Sequence, residues 1–131
     1  MTENVNSSFT NLLNLAKMSD GPSQRKVAVL YRDGKGVPQD LNKAAEWMRK
    51  AAEKNVGWAK NELFDILWRI NTPESQEEMI SVATAFAEAG DGNAMGRLGR
   101  AYRDGRGVKQ DLGKAAEWMR KAAEKNVGWA K

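Results

Sequence analysis

YRDGKGVPQDLNKAAEWMRKAAEKNVGWAK occupies residues 31–60 and returns at residues 102–131, the two copies differing only at Lys35/Arg106, Pro38/Lys109 and Asn42/Gly113. Self-similarity of this kind marks a repeat protein, in which each unit buries its apolar face against its neighbour. The offset of 71 residues is too long for one helical hairpin and close to two units of roughly 35. It points to a diverged copy in between. Gly57-Trp58-Ala59 indeed aligns with Gly92-Asn93-Ala94, Leu63 with Leu98, Leu67 with Tyr102, and Trp47 with Val82.

Working outward, each unit reads as two helices. Ala44, Trp47, Met48, Ala51 and Ala52 recur at the spacing of an amphipathic helix, so the rings of Trp47 and its copy Trp118 are expected in the core. Asp40 and Asp111 are the N-caps, and Asn55-x-Gly57 and Asn126-x-Gly128 the stops. In the middle unit Met79, Val82, Ala83, Phe86 and Ala87 carry the stripe, which begins either at Thr72-Pro73 or at a capping box from Ser75 to Glu78. The shorter first helices show Ala59, Leu63, Leu67 and Ala94, Leu98, Tyr102. Val5, Phe9, Leu12, Leu13 and Ala16 form a further amphipathic stretch ended by Asp20-Gly21-Pro22. Seven helices are predicted, near 6–18, 23–33, 40–54, 57–69, 73–89, 93–103 and 111–125, with no sheet. Residues 1–22 form an N-terminal capping helix. The array covers 23–131, with repeats of about 23–57, 58–92 and 93–128 and then the start of a further one.

Composition narrows the chemistry. The 131 residues include no cysteine and no histidine. That removes thiolate and imidazole nucleophiles or bases and the commonest transition-metal ligands, so no enzyme activity, metal or cofactor is expected. Residues 1–8 lack the basic start and apolar run of a secretory signal. No apolar stretch reaches the roughly 20 residues of a spanning helix. A cytoplasmic chain without membrane insertion is expected. Net charge is +4, but residues 24–60 and 94–131 are basic while 61–93 are acidic. Opposite faces that help units stack explain this better than a nucleic-acid surface, since the acidic block would interrupt a phosphate track.

Ala94, Leu98-Gly99, Tyr102, Gly105-x-Gly107-Val108, Asp111, Lys114-Ala115, Trp118 and Lys121-Ala122-Ala123, at their spacings, resemble the Sel1-like repeat, a relative of the tetratricopeptide repeat. The first unit carries the pattern from Tyr31 through Gly34, Gly36, Val37, Asp40, Lys43-Ala44 and Trp47 to Lys50-Ala51-Ala52. Ser23 and Ala28 stand where the family has Ala and Gly. The middle unit departs most, with Phe64 in place of the glycine and residues 69–74 in place of the Gly-x-Gly loop. The resemblance implies an all-α, right-handed α-α superhelix whose concave face is lined by first helices. It also implies a scaffold or adaptor binding a partner protein or peptide. The first-helix residues outside the Ala-Leu-Tyr stripe would then face the groove: Arg32 in the first unit, Glu62, Asp65 and Trp68 in the middle, Arg97, Arg100 and Arg103 in the last. An arginine row beside an acidic patch suits a peptide of mixed charge. The alternatives are a helical-repeat RNA-binding module and a regulatory segment of a larger enzyme.

The loop Arg32-Asp33-Gly34-Lys35-Gly36-Val37 and its copy are glycine-rich but follow no strand and match no phosphate-loop spacing, so they read as inter-helix turns. Trp58 and Trp129 are expected to cover seams between units. Trp68, one position past Leu67, is expected to be partly buried toward the groove. Ala115, Trp118 and Ala122 belong to an internal-type sequence at the end of the array, so an exposed apolar patch and self-association through the open C-terminal repeat are expected.

Overall fold

The computed structural model describes the backbone of residues 3–125 and the side chains of residues 8–125. It contains seven α-helices and, among the described residues, no strand. The chain divides into two compact units at Ile70/Asn71, inside the stretch read as the middle repeat.

The N-terminal unit holds α1 (Glu3–Lys17), α2 (Gly21–Asp33), α3 (Leu41–Glu53) and α4 (Ala59–Ile70), each packed on the one before. The C-terminal unit holds α5 (Pro73–Glu88), α6 (Gly92–Asp104) and α7 (Leu112–Lys125), packed in the same sequential way. Sequential neighbours pack because each helix has one apolar stripe, and only an adjacent helix can cover it without a long connection. Val27, Ala28, Ala44, Met48, Ala51, Ala59, Leu63 and Leu67 form the first core, and Met79, Ala83, Ala94, Leu98 and Ala101 the second.

Caps set the starts. The Asp40 carboxylate accepts from the Lys43 backbone N–H at 3.0 Å, and Asp111 does the same for Lys114 at 3.0 Å. Each fills one of the unpaired donors at a helix N-terminus. For α5 the open choice resolves to Thr72. Its hydroxyl accepts from Ser75 N–H (3.0 Å) and the Ser75 hydroxyl accepts from Thr72 N–H (2.9 Å), with Pro73 in the first turn. Asp20-Gly21-Pro22, expected as a stop, is instead mainly a start. Asp20 caps α2 through Ser23 N–H and Pro22 occupies its first turn, so the helix begins earlier than predicted. The left-handed residue that leaves α1 is Ser19 (φ 69°).

Three expectations about apolar side chains need correction. Trp47 and Trp118 are only half-buried, and a lysine ammonium lies over each ring, Lys50 at 5.8 Å and Lys121 at 4.7 Å. The stripe is narrower than its apolar letters because the alanines at 44, 45 and 51 bring α3 close to its neighbours and leave the ring at the edge. Trp58 precedes the first turn of α4, which starts at Ala59, and is 64 % exposed rather than covering a seam. Ala115 and Ala122, expected in an exposed patch, are buried. They face α6, where the Gly96 Cα surface lies against Ala122 Cβ. The side chain of Val5 and residues Asn126, Gly128 and Trp129 lie outside the described residues.

Candidate functional site

The two loops that join first to second helices have the same geometry. Gly34 (φ 67°, ψ 38°) and Gly105 (φ 69°, ψ 38°) end α2 and α6 in the left-handed conformation that glycine adopts without a Cβ penalty. The Gln39 and Gln110 side-chain amides donate to the carbonyls of Arg32 and Arg103, both at 2.8 Å. Asp40 and Asp111 N–H donate to the Tyr31 and Tyr102 carbonyls, both at 2.9 Å. The bonds that shape each loop thus come from within the same helical pair. The glycines serve a turn, as their sequence context indicated.

In the N-terminal unit the site residues form an ion-pair cluster. Arg25 grips the Glu62 carboxylate with both ends of its guanidinium, Nε–Oε1 at 2.5 Å and Nη2–Oε2 at 2.8 Å. Arg32 Nη1 approaches the same carboxylate at 3.5 Å while its Nε binds Asp33 at 2.9 Å. These bonds hold the Arg25 guanidinium above its ordinary pKa, and the Arg32 hydrogen bond holds the Asp33 carboxyl below the usual carboxylate range. The cluster ties α4 to α2 across the hairpin. Asp65 is exposed, and Trp68 is half-buried with its ring 5.9 Å from that of the buried Phe64. Arg25 was absent from the sequence-derived set. The available signal was its position seven residues before Arg32, which places both on one helix face.

In the C-terminal unit, Arg97, Arg100 and Arg103 stand three residues apart on α6 and wall a hollow of about 280 Å³ with Asn93, Gly96 and Met119. Arg103 makes a bidentate contact with Asp104 (2.9 and 3.3 Å), the same arrangement as Arg32 with Asp33. The predicted site residues therefore fall into two sets, Arg32, Glu62, Asp65 and Trp68 in one compact unit and the three arginines in the other.

The pattern of the Sel1 repeat matches residues 21–56 and 92–127, together more than half of the chain. The chain belongs to the Sel1 repeat family. Solved structures agree with this. A protective antigen present in uropathogenic Escherichia coli strains, displaying an SLR fold, matches with a TM-score of 0.71 at 32% identity over 93% of this chain and 26% of that one. A Sel1 repeat protein from Oxalobacter formigenes matches with a TM-score of 0.71 at 28% identity over 93% of this chain and 51% of that one. The chain thus spans about a quarter and a half of the lengths of these two relatives. No curated protein sequence matches. The α2–α3 and α6–α7 hairpins are the two matched Sel1 repeats, and the fold is the all-α helical-repeat class anticipated from the sequence. Among the described residues no helix is long and apolar enough to cross a membrane.

Proposed function

We propose that this Sel1 repeat protein is a non-catalytic interaction scaffold that holds a partner protein or peptide against the polar faces of its first helices. The observation that carries the reading is the arginine row of α6 at the edge of an open hollow with Gly96 and Met119 in its wall. Three guanidinium groups next to apolar surface suit a segment presenting both carboxylates and apolar side chains. They do not form the paired carboxylates or nucleophile-base pair that catalysis on this composition would require. Sel1 repeats generally mediate protein contacts, which supports the same reading. A cytoplasmic setting fits this role.

Affinity capture from the source cell tests it, using the wild-type chain and the Arg97→Glu/Arg100→Glu/Arg103→Glu variant after circular dichroism confirms that both fold. Partners retained by the wild type and lost by the variant support the reading. An unchanged set of partners removes the arginine row from the account. Ribonuclease treatment that abolishes capture favours an RNA-binding module instead.

A further inference from the structure

The second helix of the first repeat carries a narrow basic strip with a tryptophan inside it. Lys43, Trp47, Lys50 and, at the cap, Lys54 stand at i, i+4, i+7 and i+11, a spacing that returns to one side of a helix. The three lysines are exposed and Trp47 is half-buried. The Lys50 ammonium lies over the Trp47 ring at 5.8 Å, and the Lys43 ammonium lies 5.5 Å over the ring of Tyr31 on α2. Glu46 and Glu53 follow Lys43 and Lys50 by three positions, yet among the described residues none of the three lysines forms an ion pair. The ammonium groups are held by rings, which leave their charge uncompensated.

This strip ends at an apolar patch. A Cβ at Gly21 would lie 3.1 Å from Lys54 Cβ and 2.7 Å from Val56 Cγ2, so the α1–α2 turn touches the α3–α4 loop. Met18 in that turn is 77 % exposed and Trp58 in that loop 64 %. Two large apolar side chains on adjoining turns form a patch rather than scattered exposure. A row of positive charge roughly 16 Å long thus runs into apolar surface, and helices of the N-terminal unit bound the whole of it. On α7 the strip recurs as Lys114, Trp118, Lys121 and Lys125, but its surroundings differ. Ala89 replaces Met18, and α5 brings Glu74, Glu77, Glu78 and Glu88 where the described side chains of α1 include no carboxylate.

We propose that the lysine strip of α3, with Met18 and Trp58 at its end, is a second interaction surface that binds a linear acidic segment of a partner protein. That segment is a run of carboxylates followed by apolar side chains. The surface lies on a second helix and so goes beyond the first-helix surface assigned above. Carboxylates meet the ammonium groups of Lys43, Lys50 and Lys54, and the apolar end rests on Met18 and Trp58. An extended chain advances about 3.3 Å per residue, so about five residues span the strip. Lysine suits such a ligand, because a point charge on a flexible stem follows carboxylates of irregular spacing. Nucleic acid fits less well. Base stacking needs a free ring face, whereas Tyr31 and Trp47 are half-buried and each carries an ammonium over its ring.

The test titrates the full chain into a fluorescein-labelled peptide of sequence EEEEEELF at low ionic strength, read by fluorescence anisotropy, after circular dichroism confirms that each variant folds. Saturable binding is expected. Lys43→Glu/Lys50→Glu/Lys54→Glu should weaken it about tenfold, the summed contribution of exposed ion pairs, and Lys43→Arg/Lys50→Arg/Lys54→Arg should keep it. Trp58→Ser should weaken this peptide about threefold and leave EEEEEE unaffected; Trp58 is exposed, so the change removes no core packing. Arg97→Glu/Arg100→Glu/Arg103→Glu alters net charge equally and should cost less than the lysine variant. No saturation, indifference to Trp58→Ser, or an arginine variant that loses as much as the lysine variant overturns the proposal. So does oligouridylate that binds more tightly than the peptide with the same lysine dependence, since the strip then belongs to nucleic acid. Failure here beside an arginine-dependent capture leaves the first-helix reading standing, because the two surfaces share no residue.

Discussion

Met48 and Met119 lie in the same eleven-residue context, AAEWMRKAAEK, so truncating each to alanine separates tertiary surroundings from local sequence. Met48 is 0 % exposed, and Met48→Ala removes its whole transfer contribution and leaves a closed cavity between α2, α3 and α4. Such truncations cost about 2–5 kcal/mol. Met119 is half-exposed and touches α6 mainly through the surface over Gly99, where an added Cβ would lie 3.0 Å from its side chain. Its truncation forfeits about half of a transfer contribution of roughly 1.5–3 kcal/mol and opens to solvent without enclosing a void, so about 1 kcal/mol is expected. Helix propensity favours alanine equally at both sites and cancels. Native-state hydrogen exchange on the α3 and α7 amides reads each unit separately, which avoids assuming that the chain unfolds in one step. Equal losses at the two positions, or a larger loss at Met119, would refute the difference in burial between the two methionines.

At Gly107 (φ 77°) an added Cβ would lie 2.7 Å from Ile80 Cγ1 and 2.9 Å from the Gln76 carbonyl oxygen. Gly107→Ala is therefore expected to lower stability by about 2–4 kcal/mol, from left-handed strain plus displacement of α5. Gly99→Ala should cost less than about 1 kcal/mol, because the corresponding residue in the first repeat is the buried Ala28 and methionine is adaptable; urea midpoints compare the two. Thr72→Ala removes the hydroxyl half of the α5 capping box and keeps the backbone N–H at 72 that donates to Ser75; it should cost about 1 kcal/mol, read as faster amide exchange in the first turn of α5 and little change in α3. The carboxyls of Asp20, held by hydrogen bonds from Ser23, and of Asp33, held by Arg32, titrate below the usual carboxylate range in the folded chain. Their stabilisation is full above the unfolded pKa and is lost as pH falls through the lower folded values. Helical circular dichroism should decline as pH falls below the ordinary carboxylate pKa of about 4, with a smaller decline in Asp20→Asn, and an equal decline in that variant would contradict the capping role.

The helices were legible because their apolar residues recur at a 3.6-residue period and five of the starts carry aspartate or threonine caps. The choice between Thr72 and Ser75 was not legible, since the two residues cap each other and either could be read as first. Periodicity also gives the direction of a stripe and says little about its width. Trp47 and Trp118 lie within the pattern but outside the buried contact, because small alanines set the approach distance. The arginine row of α6 was visible as spacing alone. The Arg25–Glu62 pair was not, because its partners lie 37 residues apart and outside the near-identical part of the repeat. Whether Ala45 and Ala116 are buried depends on what lies next to them, information that two matching sequences cannot hold.

The turn between first and second helices has its own consequence. Its angle is set by Gly34 or Gly105, by one glutamine amide and by one backbone bond from aspartate to tyrosine, all drawn from the stretch that is copied. Exchange of Pro38 for Lys109 leaves that geometry in place. A joint specified wholly by its own residues needs no adjustment when the segment encoding it is duplicated or lost, so such an array can change length by whole units through recombination between matching coding stretches. Each new copy arrives with a correct bend already built in, and what remains to diverge is the face it shows to its neighbours.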